Sequence, residues 1–316
     1  MSSFETKEGF FNGHQNCQIY YKIWKPTGQI IARVVAGTNS LLLTLLKFHI
    51  VHGLGDHISR YDHVFSEFAE NGIIVRGLDW RGHGKTYENH KKDKALKPLK
   101  GFHDSFEHIY EDLVILNTVE INESEKNLPT FLFGHSLGAL IALGFSISKT
   151  FTKVENFAGI VSQASALKSH TPIPMWVKIA LSLATVNAFG RYTDGNRLEL
   201  NGVSTSKEEI QKYLDDPLVH EKISLRLVKD LTDTADKLRK FSPNFKHPIF
   251  LVHSKSDILT HYEGSKEFYE TCGSTDKKYK EYEKLGHELH NEPSIQKELI
   301  TNYIEWVLAH SVQKEL

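Results

Sequence analysis

Short apolar runs bounded by turn residues recur along the chain, as expected of buried parallel strands. They include Ile73–Asp79, Thr130–Gly134, Phe157–Val161 and Pro248–His253. A more polar run, Lys278–Tyr282, is suited to the edge of a sheet, where one side of the strand meets water. The pattern therefore predicts a sheet of short buried strands with a polar strand at one edge.

Amphipathic helices fill the intervals between these strands. In Tyr61–Glu70, Phe106–Thr118 and Ile295–Leu308 the apolar residues recur at the spacing of one helix face. Strands that alternate with helices build a mostly parallel sheet with helices on both faces. We therefore expect an α/β fold.

Residues 166–232 interrupt this alternation. They contain helical patterns but no good strand run, and Met175–Ala184 is almost wholly apolar. That run fits a buried core helix and is well short of a membrane span. We expect residues 166–232 to form a helical cap over the ligand edge of a core built from residues 1–165 and 233–316.

The composition is that of an ordinary globular protein, since 40% of the 316 residues are hydrophobic and 24% are charged. The 38 Lys and Arg residues nearly balance the 39 Asp and Glu residues, so the whole chain has no electrostatic footprint for nucleic acid. Cys17 and Cys272 are too few for a disulfide framework. The first residues lack an apolar core of signal-peptide length, so we expect a cytoplasmic protein.

The segment Gly134-His135-Ser136-Leu137-Gly138 follows a predicted strand and precedes a helix-like run. In that context G-x-S-x-G is typical of a nucleophile elbow, a sharp turn that small residues permit and that lifts the serine hydroxyl clear of the sheet. The N-terminus of the following helix favours developing negative charge. Ser136 is therefore the predicted nucleophile.

A serine hydroxyl needs a base to take its proton and a third group to orient that base. In this architecture the partners follow in the order Ser, acid, His. Asp257 comes just after a late strand, and His287 lies between the last strand and the final helix. The alternative for Asp257 is a turn-forming residue in Ser254–Asp257.

An oxyanion hole needs one N–H group after the nucleophile and a second from a loop after an earlier strand. Leu137 supplies the first N–H. The segment His52-Gly53-Leu54-Gly55 follows an apolar run, and the Leu54 amide is the predicted second donor. Gly53 and Gly55 otherwise fit an ordinary turn.

Two other segments are similar to a zinc-binding motif and a phosphate-binding loop but do not match either one. His287 and His290 are three residues apart, whereas a helical zinc protease needs a spacing of four, and Pro293 follows closely. The segment Gly84-Lys85-Thr86 is similar to the end of a phosphate-binding loop, but Asp79 stands where that loop needs a glycine. We therefore predict neither a metal site nor a nucleotide site.

Taken in order, these segments resemble the monoacylglycerol lipase family of α/β-hydrolases, with its lysophospholipase relatives. The similarity runs over nearly the whole chain. The matching blocks are His52-Gly53-Leu54-Gly55-Asp56-His57 with Arg60-Tyr61, Asp79-Trp80-Arg81-Gly82-His83-Gly84, Gly134–Gly138, Tyr213–Leu218 and Gly286–Glu292. The resemblance implies an α/β-hydrolase fold with a helical cap. It also implies that the protein hydrolyses a fatty-acyl monoester of glycerol without a cofactor. Ser136 would attack, His287 would act as base and then acid, and Asp257 would orient His287.

In that family, polar residues around the leaving alcohol recognise glycerol. The resemblance assigns this role to Asp56, Arg60, His135, Tyr213 and His290. An ion pair between Asp56 and Arg60 that merely holds the loop is the alternative for those two residues.

The resemblance also makes the cap a lid that lines an acyl channel. The apolar residues expected there are Met175, Trp176, Ile179, Leu181 and Leu183. The same face is suited to peripheral contact with a membrane or a lipid droplet, because the substrate dissolves there.

One segment departs from the family pattern, in which a single strand leads straight into the His-Gly loop. Ile30–Val35 would join His49–Val51 smoothly, but Ala36–Phe48 intervenes. The segment is either a surface finger, a stretch wrongly retained in the gene model, or part of a strand over Leu41–Val51 that displaces the earlier run.

Several functions stay open at this point. The first is hydrolysis of monoacylglycerols, and the second is hydrolysis of lysophospholipids or of a broad range of carboxylic esters. An anionic or zwitterionic head group would favour Arg60 and Lys85 as its partners. The third is ligand binding without turnover. The complete set of three predicted catalytic residues argues against it. The three residues alone also fit a cofactor-free haloperoxidase-like or thioester role.

Overall fold

A single sheet carries most of the strands that the structure describes. The computed structural model describes residues 3–27, 46–93, 95–170, 189–195 and 199–311. Over these ranges the sheet strands are β1 (Phe4–Asn12), β2 (Gln18–Pro26), β3 (Leu46–Val51), β4 (Ile73–Leu78), β5 (Thr130–His135), β6 (Phe157–Gln163), β9 (Ile249–Ser254) and β10 (Lys277–Tyr282). A separate ribbon pairs β7 (Thr193–Gly195) with β8 (Lys222–Ser224).

The sheet has the strand order β1-β2-β4-β3-β5-β6-β9-β10. Every pair from β4 to β10 is parallel, which confirms the mostly parallel sheet, and β10 lies at its edge as predicted. The antiparallel hairpin of β1 and β2 was not predicted. Its first strand is exposed at most positions, so it lacks the apolar run by which the buried strands are recognised.

Helices cover both faces of the sheet. They are α1 (Asp62–Glu70), α2 (Gly84–His90), α3 (Phe106–Leu116), α4 (Leu137–Ser146), α5 (Lys207–Asp215), α6 (Leu225–Phe241), α7 (Tyr262–Thr271) and α8 (Gln296–Ala309). Residues of α1 and α8 pack into one hydrophobic core, and residues of α3, α4, α6 and α7 pack into the core on the other face. None of the helices within the described ranges is long and apolar enough to cross a membrane.

Strand β3 leads directly into the His52–Gly55 loop. All six of its residues are buried, and Leu46–Phe48 pair with Ile73–Val75 of β4. The end of the unusual Ala36–Phe48 segment is therefore part of the sheet, which agrees with the option that Leu41–Val51 contains this strand. Ile30–Val35 and residues 36–45 lie outside the described ranges.

The expected cap contains two strands besides its helices. The short β7–β8 ribbon was not predicted, because three-residue strands show no apolar run. Helix α6 continues without a break through residue 232, where the expected cap ends, and buries Leu227 and Leu238 in the core. The apolar run Met175–Ala184 lies outside the described ranges.

Candidate active site

Ser136 occupies the tight turn between β5 and α4. Its backbone angles are φ 56° and ψ −121°, a strained conformation for a residue with a side chain. A side chain at Gly138 would overlap the carbonyl oxygens of Val51 and His52, and one at Gly134 would overlap the backbone of Ala139. The turn therefore requires glycine on both sides of Ser136, because the backbone passes too closely for a larger residue.

Asp257 and His287 are in direct contact at the carboxyl end of the sheet. Asp257 follows β9, and its Oδ2 lies 2.6 Å from His287 Nδ1. Burial alone would raise the pKa of Asp257, but His287 and His253 hold it well below its usual range. Burial alone would lower the pKa of His287, but Asp257 outweighs that effect and raises it. Each residue therefore stabilises the charged form of the other.

The Asp257 carboxylate accepts further hydrogen bonds that fix its orientation. The backbone N–H groups of Leu259 and Thr260 donate to Oδ1 at 2.8 and 3.0 Å. His253 Nε2 lies 3.1 Å from Oδ2, and the Thr260 hydroxyl donates to Oδ2 at 3.0 Å. Sequence reasoning missed His253, although its position four residues before Asp257 at the end of a buried strand is a usable signal.

A cavity of about 350 Å³ contains the predicted nucleophile and base. Ser136 and His287 line it together with Leu54 and Leu137. Because His287 Nδ1 is engaged by Asp257, the other ring nitrogen is free for proton transfer in this cavity. The cavity thus brings together a serine, an oriented histidine and the two expected oxyanion-hole residues.

The His52–Gly55 loop lies directly beside the nucleophile. A Cβ atom on Gly53 would lie 3.4 Å from the Ser136 Cβ. The loop is held on both sides, since Trp80 Nε1 donates to the His52 carbonyl at 3.2 Å and the His220 amide donates to the Gly55 carbonyl at 2.9 Å. This position suits the Leu54 amide for a negative charge that develops on a substrate carbonyl.

The five residues expected to recognise the alcohol fall into two groups. Asp56, His135 and Tyr213 line the cavity, whereas Arg60 and His290 do not. Arg60 Nη1 lies 3.1 Å from Asp56 Oδ1, so the ion pair considered as the structural alternative is present. Asp56 also accepts hydrogen bonds from the His57 amide at 2.7 Å and, at its other oxygen, from the Tyr61 hydroxyl at 2.7 Å.

His290 belongs to a buried layer behind the cavity. Its ring stacks on Tyr61 with 4.6 Å between the ring centres, and its Nδ1 lies 2.7 Å from Gln163 Nε2. Tyr303 in turn donates to Gln163 Oε1 at 2.9 Å. His290 therefore supports Tyr61, which holds Asp56.

Glu288 was not predicted, yet it lines the cavity next to His287. Its carboxylate forms a two-pronged contact with Arg60, at 2.7 and 2.6 Å, and accepts a hydrogen bond from Asn291 at 2.8 Å. No spacing rule marks the residue that follows His287. Only the contact with Arg60, 228 positions away in sequence, reveals its place.

The hydroxyl of Tyr213 is buried and has no hydrogen-bond partner among the described residues. The Arg60 guanidinium lies 5.0 Å from the centre of the Tyr213 ring. A buried hydroxyl without a partner loses the hydrogen bonds that it makes in water. The Tyr213 residue also forms part of the cavity wall.

The rest of the cavity lining is largely apolar. Its side chains include Val203, Ile223, Val228, Leu231 and Leu259. The apolar residues expected from the run at 175–183 lie outside the described ranges. Within those ranges, no group of three or more His, Cys, Asp or Glu side chains is arranged to hold a metal ion.

Several known proteins are similar to this chain. The family model of the serine aminopeptidases, S33, matches residues 46–294. A monoacylglycerol lipase of Mycolicibacterium smegmatis is 26% identical over 315 residues, which cover 98% of this chain and 100% of that protein. An uncharacterized abhydrolase domain-containing protein of Dictyostelium discoideum is 32% identical over 259 residues, or 82% of this chain. The match spans only 26% of that longer relative.

A solved structure of Paleococcus ferrophilus monoacylglycerol lipase superposes with a TM-score of 0.70 at 28% identity. The superposition covers 84% of this chain and 95% of that one. The fold and the site thus define an α/β-hydrolase. Within that class the chain belongs to the serine aminopeptidase, S33, family, and its resemblance to monoacylglycerol lipases makes it a carboxylic ester hydrolase.

Proposed function

We propose that this protein hydrolyses the ester bond of monoacylglycerols to a free fatty acid and glycerol. The observation that carries the proposal is the mixed lining of the cavity around Ser136. Asp56, Glu288 and Tyr213 line it together with apolar residues. A monoacylglycerol is likewise mixed, with a polar alcohol and an apolar chain on either side of its ester.

The reaction proceeds through an acyl-enzyme on Ser136. His287 takes the proton from the Ser136 hydroxyl as its oxygen attacks the ester carbonyl, and Asp257 stabilises the resulting imidazolium. The Leu54 and Leu137 amides bind the carbonyl oxygen as it becomes negative. His287 then gives the proton to the glycerol oxygen as the ester bond breaks. A water molecule attacks the acyl-enzyme by the same steps and releases the fatty acid.

The polar side of the cavity recognises the glycerol hydroxyls. Carboxylate oxygens of Asp56 and Glu288 have acceptor capacity beyond their present donors, and the Tyr213 hydroxyl can donate or accept. His135 completes this side, while Arg60 and His290 hold the lining residues in place.

Residues 166–232 act as the cap in this proposal. Five residues of this segment line the cavity: Val203, Tyr213, Ile223, Val228 and Leu231. The cap would deliver the acyl chain to Ser136 from a membrane or lipid-droplet surface. Equal sedimentation of the protein with and without lipid vesicles would contradict that surface contact.

The test compares a monoacylglycerol with the lysophosphatidylcholine of the same chain, using wild type and Ser136→Ala. We expect Ser136→Ala to lower turnover of the glycerol ester about 10⁴-fold or more, while the melting temperature stays near that of wild type. Preference for the lysophospholipid would leave the nucleophile in place but contradict the glycerol assignment. Absence of turnover in a folded wild type would favour a ligand-binding protein.

A further inference from the structure

We propose that the alcohol side of this cavity selects leaving groups by charge, with Glu288 as the specificity-determining residue. Neutral and cationic alcohols are accepted, and anionic alcohols such as phosphorylated glycerol are rejected. This inference rests on the proposed function, because it concerns the leaving group of the same reaction.

Two acidic residues, Asp56 and Glu288, line the cavity, whereas the cation that they share, Arg60, does not. Arg60 Nη1 lies 3.1 Å from Asp56 Oδ1, and its two terminal nitrogens lie 2.7 and 2.6 Å from the oxygens of Glu288. One guanidinium serves two carboxylates, so this group of residues has a net negative charge.

The other cations near the site are already paired. Lys168 is the one lysine or arginine among the described residues that line the cavity, and its Nζ lies 2.9 Å from Glu263 and 2.7 Å from Glu267. Lys85, a basic residue that would suit a phosphorylated head group, is not in the lining. Its Nζ lies 3.2 Å from Glu8 and 2.9 Å from the Tyr20 hydroxyl.

The neighbouring histidines add no unpaired positive charge. Burial and the nearby His287 lower the pKa of His135 to about 3, so its ring is neutral at pH 7. His57 has a raised pKa, but its Nε2 lies 2.8 Å from Asp216, which compensates its charge. His287 must itself be neutral to act as the base.

Because the two carboxylates are buried, their negative charge acts strongly on a ligand in the cavity. Asp56 is 3% exposed and Glu288 is 4% exposed, so water and salt screen them poorly. A glycerol hydroxyl donates a hydrogen bond to such an oxygen. A doubly ionised phosphate has no proton to donate and is repelled.

The test uses three soluble butyrate esters, which avoid differences in micelle formation. They are monobutyroylglycerol, its phosphate monoester and butyrylcholine, which carry a neutral, an anionic and a cationic leaving group. For wild type we expect kcat/KM for the neutral ester to exceed that for the anionic ester about 100-fold or more, from repulsion at a buried site. Butyrylcholine should stay within about 10-fold of the neutral ester, because its charge meets no repulsion.

Glu288→Gln removes one of the two carboxylates while keeping the shape of the side chain. We expect this variant to reduce the neutral-to-anionic ratio about 10-fold or more, mainly through a lower KM for the anionic ester. Glu283→Gln is the matched control, because it makes the same change of charge on a side chain that is 69% exposed. The control should keep the wild-type ratio.

The comparison of the three esters on wild type tests the charge selection even if a variant folds poorly. If the wild-type kcat/KM for the anionic ester is within about threefold of that for the neutral ester under the same conditions, the charge selection is wrong. The proposed function would still stand. A folded Glu288→Gln with an unchanged ratio would overturn the role of Glu288. If wild type shows no Ser136-dependent turnover of monobutyroylglycerol, the proposed function is wrong, and the inference that rests on it is wrong as well.

Discussion

His253 Nε2 lies 3.1 Å from Asp257 Oδ2, the same carboxylate oxygen that contacts His287 Nδ1 at 2.6 Å. The other ring nitrogen of His253 lies 2.8 Å from the Ser265 hydroxyl, and the ring is fully buried. If the Ser265 hydroxyl donates to His253 Nδ1, His253 Nε2 carries the hydrogen and donates to Asp257. A second histidine thus helps to hold the carboxylate that we propose orients the base His287.

We predict that His253→Ala lowers kcat about 10-fold with a smaller change in KM, because the Asp257 carboxylate loses one of the bonds that orient it. Steady-state kinetics on a monoacylglycerol measure this change. His253→Gln, whose amide can still donate, should recover part of the loss. Equal kcat values for wild type and His253→Ala would show that the remaining donors suffice.

In the proposed mechanism, the raised pKa of His287 sets the pH dependence of hydrolysis. The base must be neutral, so kcat/KM should be low below the pKa of His287 and should rise with pH through a midpoint above the ordinary histidine value. Asp257→Asn removes the charge that raises this pKa. We therefore expect the midpoint to move to lower pH, while the maximal rate falls about 10⁴-fold as in other serine hydrolases.

Pre-steady-state acylation with an activated aryl ester across the pH range measures both changes. A midpoint that stays in place or moves to higher pH in Asp257→Asn would contradict the assignment of His287 as the titrating base.

We expect Tyr213→Phe to weaken substrate binding without lowering the stability of the fold. The Tyr213 hydroxyl is buried without a described partner, so its removal should leave the free energy of unfolding unchanged or raise it slightly. The same change should raise KM for monoacylglycerol about 5- to 10-fold, because one hydrogen bond to the substrate is lost.

Tyr61→Phe is the matched control for that prediction. The Tyr61 hydroxyl donates to Asp56 at 2.7 Å, so we expect this variant to lose about 1–2 kcal/mol of unfolding free energy. Urea denaturation measures both variants. A Tyr213→Phe variant that is clearly destabilised, with an unchanged KM, would show that the hydroxyl has a structural partner instead.

Gly138→Ala tests the close approach of the nucleophile turn to the end of β3. The added methyl group would overlap the Val51 and His52 carbonyl oxygens, both of which belong to fixed backbone. We expect a loss of about 2–3 kcal/mol in the free energy of unfolding, together with reduced activity. Gly195→Ala is the control, because a Cβ atom there meets nothing within 4 Å and should be nearly neutral.

Much of the fold could be predicted from local pattern alone. The strands at Ile73, Thr130, Phe157 and Ile249 are fully or largely buried, and a strand buried on both faces appears in the sequence as a continuous apolar run. The β1–β2 hairpin escaped prediction because most of its first strand faces water. Helix α6 crosses the expected cap boundary because helical periodicity does not mark where one structural unit ends.

The sequence by itself determined the chemistry of the elbow. Gly134 and Gly138 on either side of Ser136, after a strand and before a helix, indicated the tight turn. The need for glycine at position 138 also comes from the Val51 and His52 carbonyl oxygens, which the folded sheet brings against the turn. The order of Ser136, Asp257 and His287 follows from the same architecture, and the structure brings the last two to within 2.6 Å of each other.

Only the tertiary structure decided which groups surround that chemistry. It brought Arg60 against Glu288 and Asp56, stacked His290 on Tyr61, and left the buried Tyr213 hydroxyl without a hydrogen-bond partner among the described residues. These contacts join residues far apart in the chain, and their energies depend on burial and on the charges nearby. No local pattern encodes such distances, and so the charge of the alcohol side became visible only in the folded molecule.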